Sequence, residues 1–379
     1  MKNKKLIILG AYGQQNIGDE AMLSSILKKI DKRYFEIYVN SSDPKYTSDQ
    51  YGVDSFYTPL RKDFLKKIIT FLKGDIIIYG GGTILTELRM VKISKLTPLY
   101  RTFFINLLSK LLNKKVIFLG IGVEEVNSWI GRFLLRTSVN LSDVCYVRDR
   151  MSYKVLEKYN CTKNLKLGAD LVFLNKIKKV SKLKRHRKII ILPVYRIPSF
   201  DKSRKQYVET LSDYALNYSR KGYLIEFFPM SCFSKDDIND KEILRLIKRE
   251  ILNKNGNKKT INFYEGPPKN FKEFRRYLDG FDLVLSSRYH GLVMALLNNK
   301  PIINLSEFKK NNGLIEDINM KDFSMNNKNL NLKRLHMATD NIFKNYKKIL
   351  DRVGKAGAYL NSLSNKMYKD VLFNYIKWK

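Results

Sequence analysis

The sequence predicts an α/β protein of two domains, each a doubly wound parallel sheet, with the two domains facing one crevice. Short apolar runs alternate with amphipathic helical stretches in both halves of the chain. Many of the apolar runs end in glycine or polar residues, as strands of an open parallel sheet do where a ligand binds. The chain has 379 residues, 44% of them hydrophobic, which is enough for two separate cores.

Five apolar runs in the first half of the chain predict buried strands. They cover residues 6–9, 36–39, 75–79, 115–119 and 144–147. The third run is followed by Gly80, Gly81 and Gly82. Consecutive glycines after a buried strand let a ligand or a crossing helix approach the backbone closely, so Gly81 and Gly82 are candidate substrate contacts.

The loop after the first strand contains three glycines and leads into a helix predicted from near Glu20 to about residue 30. Asp19 is positioned to cap that helix, and capping explains it as well as catalysis does. Glu20 is predicted to be the first helical residue, on the crevice side, where no structural role accounts for it. Asp19 and Glu20 are therefore the candidate carboxylates of the first domain.

A run of positive charge without core periodicity, residues 175–188, is predicted to link the domains. The first domain then covers residues 1–174 and the second residues 189–340. Residues 341–379 are helical and basic in pattern, and we expect them to be able to fold back across the domain junction. Within the second domain, strands are predicted at 189–192, 222–228 and 261–264, and helices at 207–218 and 271–278.

The stretch 282–305 predicts the functional turn of the second domain. It reads as a strand at 283–285, a polar turn at 286–290, a helix at 291–297 and a strand at 301–305. Arg288 and His290 follow Ser287 at the carboxyl end of the first strand, where helix N-termini attract anions. An arginine can hold a carboxylate or phosphate with two hydrogen bonds, and a histidine can move a proton. The alternative is that Arg288 and His290 cap the following helix.

Composition limits the classes of function. The formal charge of +35 attracts anionic partners, either nucleic acid, anionic lipid or phosphorylated substrates, or it reflects a Lys- and Asn-rich composition. No nucleic-acid fold signature accompanies it, so no nucleic acid is expected. The three cysteines lack metal or disulfide spacing, which indicates a cytoplasmic setting without a metal site. No dinucleotide fingerprint or Walker loop is present, so no cofactor is expected.

The protein is predicted to be soluble or peripheral to a membrane. The apolar run near the N-terminus is too short for a signal peptide, and no uncharged apolar stretch reaches the roughly 18 residues that a spanning helix needs. In residues 87–96, Arg89, Lys92 and Lys95 interleave with apolar residues, a mixture typical of a membrane-surface contact. The helix that follows, starting with Thr97 and Pro98, is predicted to pack its apolar face on the sheet.

An ordered set of short motifs resembles the polysaccharide pyruvyl transferase family. The matching pieces are Asn16-Ile17-Gly18-Asp19-Glu20, Gly80-Gly81-Gly82, Gly120-Ile121-Gly122, Val147-Arg148-Asp149, Gly168-Ala169-Asp170 and Ser287-Arg288-Tyr289-His290-Gly291. The resemblance implies two Rossmann-like domains in a GT-B-like arrangement. It also implies phosphoenolpyruvate as the donor, which serves as a co-substrate, and a pair of glycan hydroxyls as the acceptor.

Ketal formation from phosphoenolpyruvate needs cations for a trianionic donor and groups that move protons. The resemblance implies that Arg288 and Arg148 hold the donor, that His290 is the acid, and that Asp19 or Glu20 is the base. Other candidate substrate contacts are Ser287, Asn16, Gly18, Gly81, Gly82 and Lys309, the last lying near where family members carry a lysine. A lipid-linked acceptor would bring the enzyme to the cytoplasmic face of the plasma membrane.

The closest competing hypothesis is a GT-B glycosyltransferase that uses a nucleotide sugar. Such an enzyme normally has a carboxylate in its second domain that binds the ribose. Glu265, before Gly266, is the candidate for that role in this sequence.

Overall fold

The structure is a computed structural model of the 379-residue chain. It describes residues 4–57, 70–87, 97–178, 187–194, 200–231, 239–254, 260–266, 270–306, 308–325 and 330–376, apart from the side chains of 200–203. Residues 88–96, which contain the predicted membrane contact, and 179–186, in the predicted linker, lie outside the described residues.

The chain divides into two compact units. The first comprises Met1–Gln14, Asp19–Leu174 and Leu360–Lys379, and the second comprises Gln15–Gly18 and Asn175–Tyr359. A short segment of the N-terminal loop therefore belongs to the second unit, whereas the residues on either side of it belong to the first.

The first unit contains a seven-stranded parallel sheet in the order β3-β2-β1-β4-β5-β6-β7. The strands are β1 Lys4–Leu9, β2 Phe35–Ser41, β3 Asp54–Tyr57, β4 Ile76–Leu85, β5 Lys115–Val123, β6 Val144–Val147 and β7 Leu165–Leu167. The helices are α1 Ile17–Leu27, α2 Pro44–Tyr51, α3 Thr97–Leu111, α4 Trp129–Asn140 and α5 Arg150–Lys158. The order reverses between β1 and β4, and such a switch point is where open α/β sheets bind ligands.

Two central strands of this sheet are longer than predicted. β4 and β5 were expected to end at residues 79 and 119, but they continue through their glycines to Leu85 and Val123. Gly82 pairs with Ile121 even though its φ is 79°, because glycine tolerates positive φ without a steric cost. The edge strands β3 and β7 were not predicted, since they are short and only partly buried.

The second unit contains a five-stranded parallel sheet in the order β10-β9-β8-β11-β12. The strands are β8 Lys188–Leu192, β9 Leu224–Phe227, β10 Ile261–Phe263, β11 Leu283–Ser286 and β12 Ile302–Asn304. The helices are α6 Phe200–Arg220, α7 Asp240–Asn253, α8 Phe271–Leu278, α9 Tyr289–Leu297, α10 Lys309–Asp317 and α11 Leu332–Lys344. The last helix, α12 Tyr346–Val371, begins in the second unit and ends in the first, which resumes at Leu360. The predicted class, two doubly wound parallel α/β sheets, is confirmed.

One helix packs differently from the prediction. The buried residues of α3 are Leu99, Thr102, Asn106 and Ser109, and the partly buried Phe103 and Ile105 pack against the core of the first unit. Most of its large apolar residues are exposed. Within the described ranges, no helix is both long and apolar enough to cross a membrane.

Candidate functional site

The turn between β11 and α9 and the start of that helix contain Arg288 and His290, the main site residues predicted for the second domain. Arg288 is the N-cap residue of α9 and has an extended backbone, with φ −90° and ψ 130°. The helix begins at Tyr289, two residues earlier than predicted, so His290 lies in its first turn rather than in an extended turn. The Ser286 hydroxyl accepts a hydrogen bond from the Arg288 N–H at 3.1 Å and donates to the Arg288 carbonyl at 2.8 Å. The turn is therefore fixed by its own side chain.

Arg288 forms a two-bond ion pair with Asp240, a residue that the sequence analysis missed. Its Nε donates to Asp240 Oδ2 at 3.0 Å, and Nη2 donates to Oδ1. Asp240 is the first residue of α7, is fully buried, and also accepts from the Ser231 N–H at 3.0 Å. The Arg288 side chain keeps 22% of its surface exposed and makes no cap hydrogen bond to α9. A buried carboxylate thus fixes the guanidinium plane, and capping does not explain the arginine.

The structure brings together three predicted site residues within the second unit. The imidazole of His290 lies against Gly18, and a Cβ atom on Gly18 would overlap the ring. The segment that contains Gly18 is bound to this unit by a bridge between Asn16 and Ser231. Asn16 Oδ1 also accepts from the Gly18 N–H at 3.0 Å. Asn16 therefore shapes the turn that allows Gly18 to approach the histidine.

Two further predicted contacts, Ser287 and Lys309, also belong to the second unit. Ser287 is 1% exposed, and its hydroxyl is 2.7 Å from the Tyr207 hydroxyl and donates to the Leu305 carbonyl at 3.2 Å. The Ser287 hydroxyl therefore faces the protein interior, where its hydrogen bonds stabilise the turn between β11 and α9. Lys309 is exposed at the first position of α10.

In the first unit, the two candidate carboxylates occupy different environments. Because α1 begins at Ile17, Asp19 lies inside the first turn, and its expected position as N-cap is wrong. Glu20 is 4% exposed, and its carboxylate accepts from the Gly13 N–H at 2.8 Å and from the Tyr51 hydroxyl at 2.7 Å. Burial raises the pKa of Glu20, while these two hydrogen bonds oppose the rise. Glu20 thus has the structural role that the sequence did not suggest.

Side chains of the protein itself fill the space beside the glycines of β4. The Tyr12 hydroxyl donates to the Gly80 carbonyl at 2.6 Å, and the tyrosine is 1% exposed. A Cβ atom on Gly81 would lie 2.6 Å from Met22 Sδ. Gly82 is also next to Met22, whose methyl group would lie 3.7 Å from such an atom. Close approach by a crossing helix, which was one of the two predicted reasons for the glycines, is observed at Gly81.

Arg148 is buried in the first unit between two carboxylates. Its side chain is 2% exposed, Nε lies 3.3 Å from Asp149 Oδ2, and Nη1 lies 3.7 Å from Asp170 Oδ2. Nη2 donates to the Thr83 hydroxyl at 3.2 Å. A Cβ atom on Gly122 would lie 2.7 Å from this guanidinium, so the glycine makes room for it. The buried positive charge is compensated on two sides.

The described residues offer no evident metal centre or reactive thiol. Among them, no three His, Cys, Asp or Glu side chains are grouped so as to hold a metal ion. Cys145 and Cys161 are buried free thiols, and burial raises the pKa of Cys161 to about 11. A protonated, buried thiol is a poor nucleophile and a poor metal ligand.

The chain matches a model of a known protein family. Residues 16–307 match the model described as polysaccharide pyruvyl transferase. The chain belongs to the polysaccharide pyruvyl transferase family. The matched range begins at Asn16 and includes Arg288 and His290, whereas Lys309 lies beyond it. A comparison with curated protein sequences gives no match.

Several solved structures share the fold of this pyruvyl transferase family member. The UDP-GlcNAc 2-epimerase of Neisseria meningitidis, bound to UDP-GlcNAc, has a TM-score of 0.62 at 10% identity, covering 98% of this chain and 100% of that chain. Anabaena HepE, in complex with UDP and glucose, has a TM-score of 0.61 at 13% identity and coverages of 97% and 98%. A Rickettsia africae glycosyltransferase has a TM-score of 0.62 at 13% identity and coverages of 99% and 100%. At these identities the similarity establishes a GT-B-like fold alone.

Proposed function

We propose that the protein transfers the enolpyruvyl group of phosphoenolpyruvate to two hydroxyls of a sugar in a surface-glycan precursor, forming a pyruvate ketal. The methylene carbon of the donor gains a proton and becomes a methyl group. The neighbouring carbon forms bonds to both sugar oxygens, and its bond to the phosphate oxygen breaks. The two hydroxyls lose their protons, and one of these leaves with the phosphate. The observation that carries the proposal is the Arg288–Asp240 pair beside His290 at the α9 N-terminus, in a chain of this family.

Arg288 and the N-terminus of α9 are suited to an anionic donor. The positive end of the helix dipole favours a carboxylate or phosphate, and Asp240 fixes the orientation of the guanidinium before the donor arrives. His290, in the first turn of the same helix, would protonate the methylene carbon. A proton donor held in position contributes about 10²–10⁴-fold to rate.

The base that accepts the hydroxyl protons is proposed to be Asp19 or Glu20. Exposure favours Asp19, which is partly exposed, whereas Glu20 is buried and accepts hydrogen bonds from Gly13 and Tyr51. Burial of Arg148 between Asp149 and Asp170 favours a positioning role for this arginine over direct contact with the donor. Gly81 and Gly82 would then contribute by fitting the sheet against α1.

The acceptor is proposed to be a lipid-linked glycan precursor at the inner face of the plasma membrane, with the protein bound peripherally. A formal charge of +35 supports attraction to an anionic leaflet. The membrane contact was predicted in residues 87–96, and all of these except Glu87 lie outside the described residues.

A nucleotide-sugar glycosyltransferase is the second candidate, favoured by fold neighbours that were solved with UDP-GlcNAc or with UDP and glucose. Glu265, its candidate ribose ligand, is 74% exposed and paired with Lys248 at 2.7 Å. Lys248 lowers the pKa of Glu265. An exposed ion pair is a weak basis for a ribose site, so the pyruvyl transfer hypothesis is preferred.

Incubation with isotopically labelled phosphoenolpyruvate and a lipid-linked glycan, read by mass spectrometry, tests the proposal. The expected product is glycan that carries labelled pyruvate, with release of phosphate. A parallel thermal-shift titration compares phosphoenolpyruvate with UDP-sugars. Stabilisation by a UDP-sugar alone, without labelled product, would assign the protein to the second candidate.

A further inference from the structure

Helix α3 presents a stripe of large apolar side chains to solvent. The exposed members recur at helical spacing and are Tyr100, Phe104, Leu107, Leu108 and Leu111. Phe104 is 60% exposed and Leu111 is 72% exposed. Because residues three or four apart share one face of a helix, these side chains form a continuous strip.

The opposite face of α3 holds the helix in this orientation through hydrogen bonds. Asn106 is fully buried, its Oδ1 accepts from the Tyr79 hydroxyl at 2.8 Å, and its Nδ2 donates to the Ser138 carbonyl at 2.8 Å. Turning the apolar strip inward would break both bonds and leave buried polar atoms without partners. The outward position of the apolar strip is therefore a specific feature of the packing.

Helix α4 extends the same surface. Trp129 is 73% exposed and Phe133 is 56% exposed, one helical turn apart. Phe103 connects the two helices, since its ring centroid lies 6.5 Å from that of Phe133 and 5.3 Å from that of Phe104. We call this the α3–α4 apolar surface, consisting of Tyr100, Phe104, Leu107, Leu108, Leu111, Trp129 and Phe133.

The charged side chains on α3 and α4 have one sign. Neither α3 nor α4 contains Asp or Glu, whereas Lys110, Arg132 and Arg136 are exposed on them. Three acidic residues near the start of α4 have partners of their own. Glu87 accepts from the Ser128 hydroxyl at 2.9 Å, Glu124 accepts from the Thr86 hydroxyl at 3.1 Å, and Glu125 lies 3.5 Å from the Lys158 ammonium. The surface is thus apolar at its centre and cationic around it.

We propose that the α3–α4 apolar surface docks on an anionic lipid bilayer, which deepens the proposed use of a lipid-linked acceptor and rests on it. Apolar side chains enter the boundary between headgroups and acyl chains, and exposed Lys and Arg residues bind anionic headgroups. Trp129 is of the residue type enriched at that boundary. Docking against a second copy would instead bring Lys110, Arg132 and Arg136 close to identical positive charges, so charge complementarity favours lipid.

Cosedimentation with phosphatidylglycerol vesicles tests the surface, with phosphatidylcholine vesicles for comparison. The variant is Phe104→Ser/Leu111→Ser, in the full chain. Loss of each apolar side chain is expected to weaken partitioning by about tenfold. The matched control is Met337→Ser, since Met337 is 63% exposed on α11, in the second unit. Both proteins should melt like the parent, because the replaced side chains are mostly exposed.

Trp129 provides a second measurement. In a Trp378→Phe background it is the only tryptophan, since the chain has two. Its emission should shift to the blue when phosphatidylglycerol vesicles are added, and the shift should diminish at high salt. Equal binding by the parent and the Phe104→Ser/Leu111→Ser variant overturns the proposal. The proposal is also overturned if the parent does not bind anionic vesicles. It is overturned as well if the parent is a dimer that this variant dissociates.

The outcomes separate this proposal from the proposed reaction. If the protein transfers pyruvyl to a short soluble acceptor but does not bind vesicles, the docking proposal is wrong and the proposed reaction is supported. If the protein binds vesicles through the α3–α4 apolar surface but forms no ketal on any acceptor, the proposed reaction is wrong and the docking proposal is supported. If both hold, the Phe104→Ser/Leu111→Ser variant should retain activity on the soluble acceptor and lose it on vesicle-bound acceptor.

Discussion

The imidazole ring of His290 lies against Gly18, in the space that the Cβ atom of any other residue would occupy. Gly18 belongs to the short segment that is bound to the second unit through Asn16 and Ser231. The orientation of the histidine therefore depends on a glycine from the N-terminal loop.

We predict that Gly18→Ala lowers kcat by about 10²-fold, because the methyl group must displace the ring of His290, the proposed general acid. Steady-state kinetics with phosphoenolpyruvate and acceptor measures the change. The matched control is Gly280→Ala, since a Cβ atom there meets only the Tyr277 carbonyl at 3.6 Å. Equal activity of the two variants would show that the contact with His290 has no catalytic importance.

We predict that His290→Ala abolishes turnover but leaves donor binding largely intact. A general acid accounts for about 10²–10⁴-fold in rate and contributes little to ground-state affinity. Turnover is followed by phosphate release, and donor binding by thermal shift with phosphoenolpyruvate. The control is His336→Ala, because His336 stacks on Tyr218 with ring centroids 5.2 Å apart and has no assigned chemical role. Turnover within a few fold of the parent would make His290 a structural residue.

We predict that Arg288→Lys weakens binding of the donor by about 10- to 100-fold, since an ammonium cannot reproduce planar, charge-assisted hydrogen bonds. Asp240→Asn should produce a smaller loss of the same kind, because it releases the guanidinium from its fixed orientation. Calorimetric titration with phosphoenolpyruvate measures both. Arg245→Lys is the control, since the Arg245–Glu242 pair lies on the exposed surface. Unchanged affinity in Arg288→Lys would place the donor elsewhere.

We predict that Glu20→Gln changes how stability depends on pH. A carboxyl group whose pKa is raised in the folded state binds its proton more tightly there than in the unfolded chain. The stabilisation from this group is fully present at pH values below about 4.3, the pKa of a glutamate in the unfolded chain. It is lost as the pH rises through the higher pKa that Glu20 has in the folded protein. As the pH rises through the pKa of Glu20 in the folded protein, the melting temperature of the parent should therefore fall relative to that of Glu20→Gln. A difference in melting temperature that stays constant with pH would contradict a raised pKa of Glu20.

We predict that replacing Arg89, Lys92 and Lys95 together by glutamate weakens binding to anionic liposomes. Each basic residue contributes about 1 kcal/mol near such a surface. Cosedimentation at moderate salt measures the change, and activity on a short soluble acceptor should be retained. A parallel triple replacement of Lys347, Lys348 and Lys355 on α12 controls for net charge. If both variants are released from the liposomes to the same extent, residues 87–96 have no specific role in membrane binding.

Local patterns were sufficient for the elements that depend on local sequence. The helix Phe271–Leu278 was predicted at its observed bounds, and in the structure Asn270 and Glu273 form a capping box at its start. Val144–Val147 was likewise predicted at its bounds, as a short run that is buried throughout. The start of α1 was misjudged, since Asn16 binds the Gly18 N–H and the helix begins three residues early.

The partners of the predicted site residues were beyond the reach of sequence patterns. Arg288 was found from its place after a strand, but Asp240, which fixes it, lies on another helix. The glycines of β4 were recognised, but their packing against Tyr12 and Met22 depends on how α1 and its loop cross the sheet. Such pairings are set by tertiary structure, and a single sequence does not encode them in its spacing.

The polar packing of Asn106 has a consequence for how the chain reaches its native state. Hydrophobic collapse by itself would draw Phe104 and Leu111 into the core, which is the opposite of the native orientation of α3. The correct orientation depends on directional bonds to Tyr79 and the Ser138 carbonyl, which come from different elements. Helix α3 is thus a locally frustrated element, and we expect a misoriented form of it to compete with the native orientation during folding.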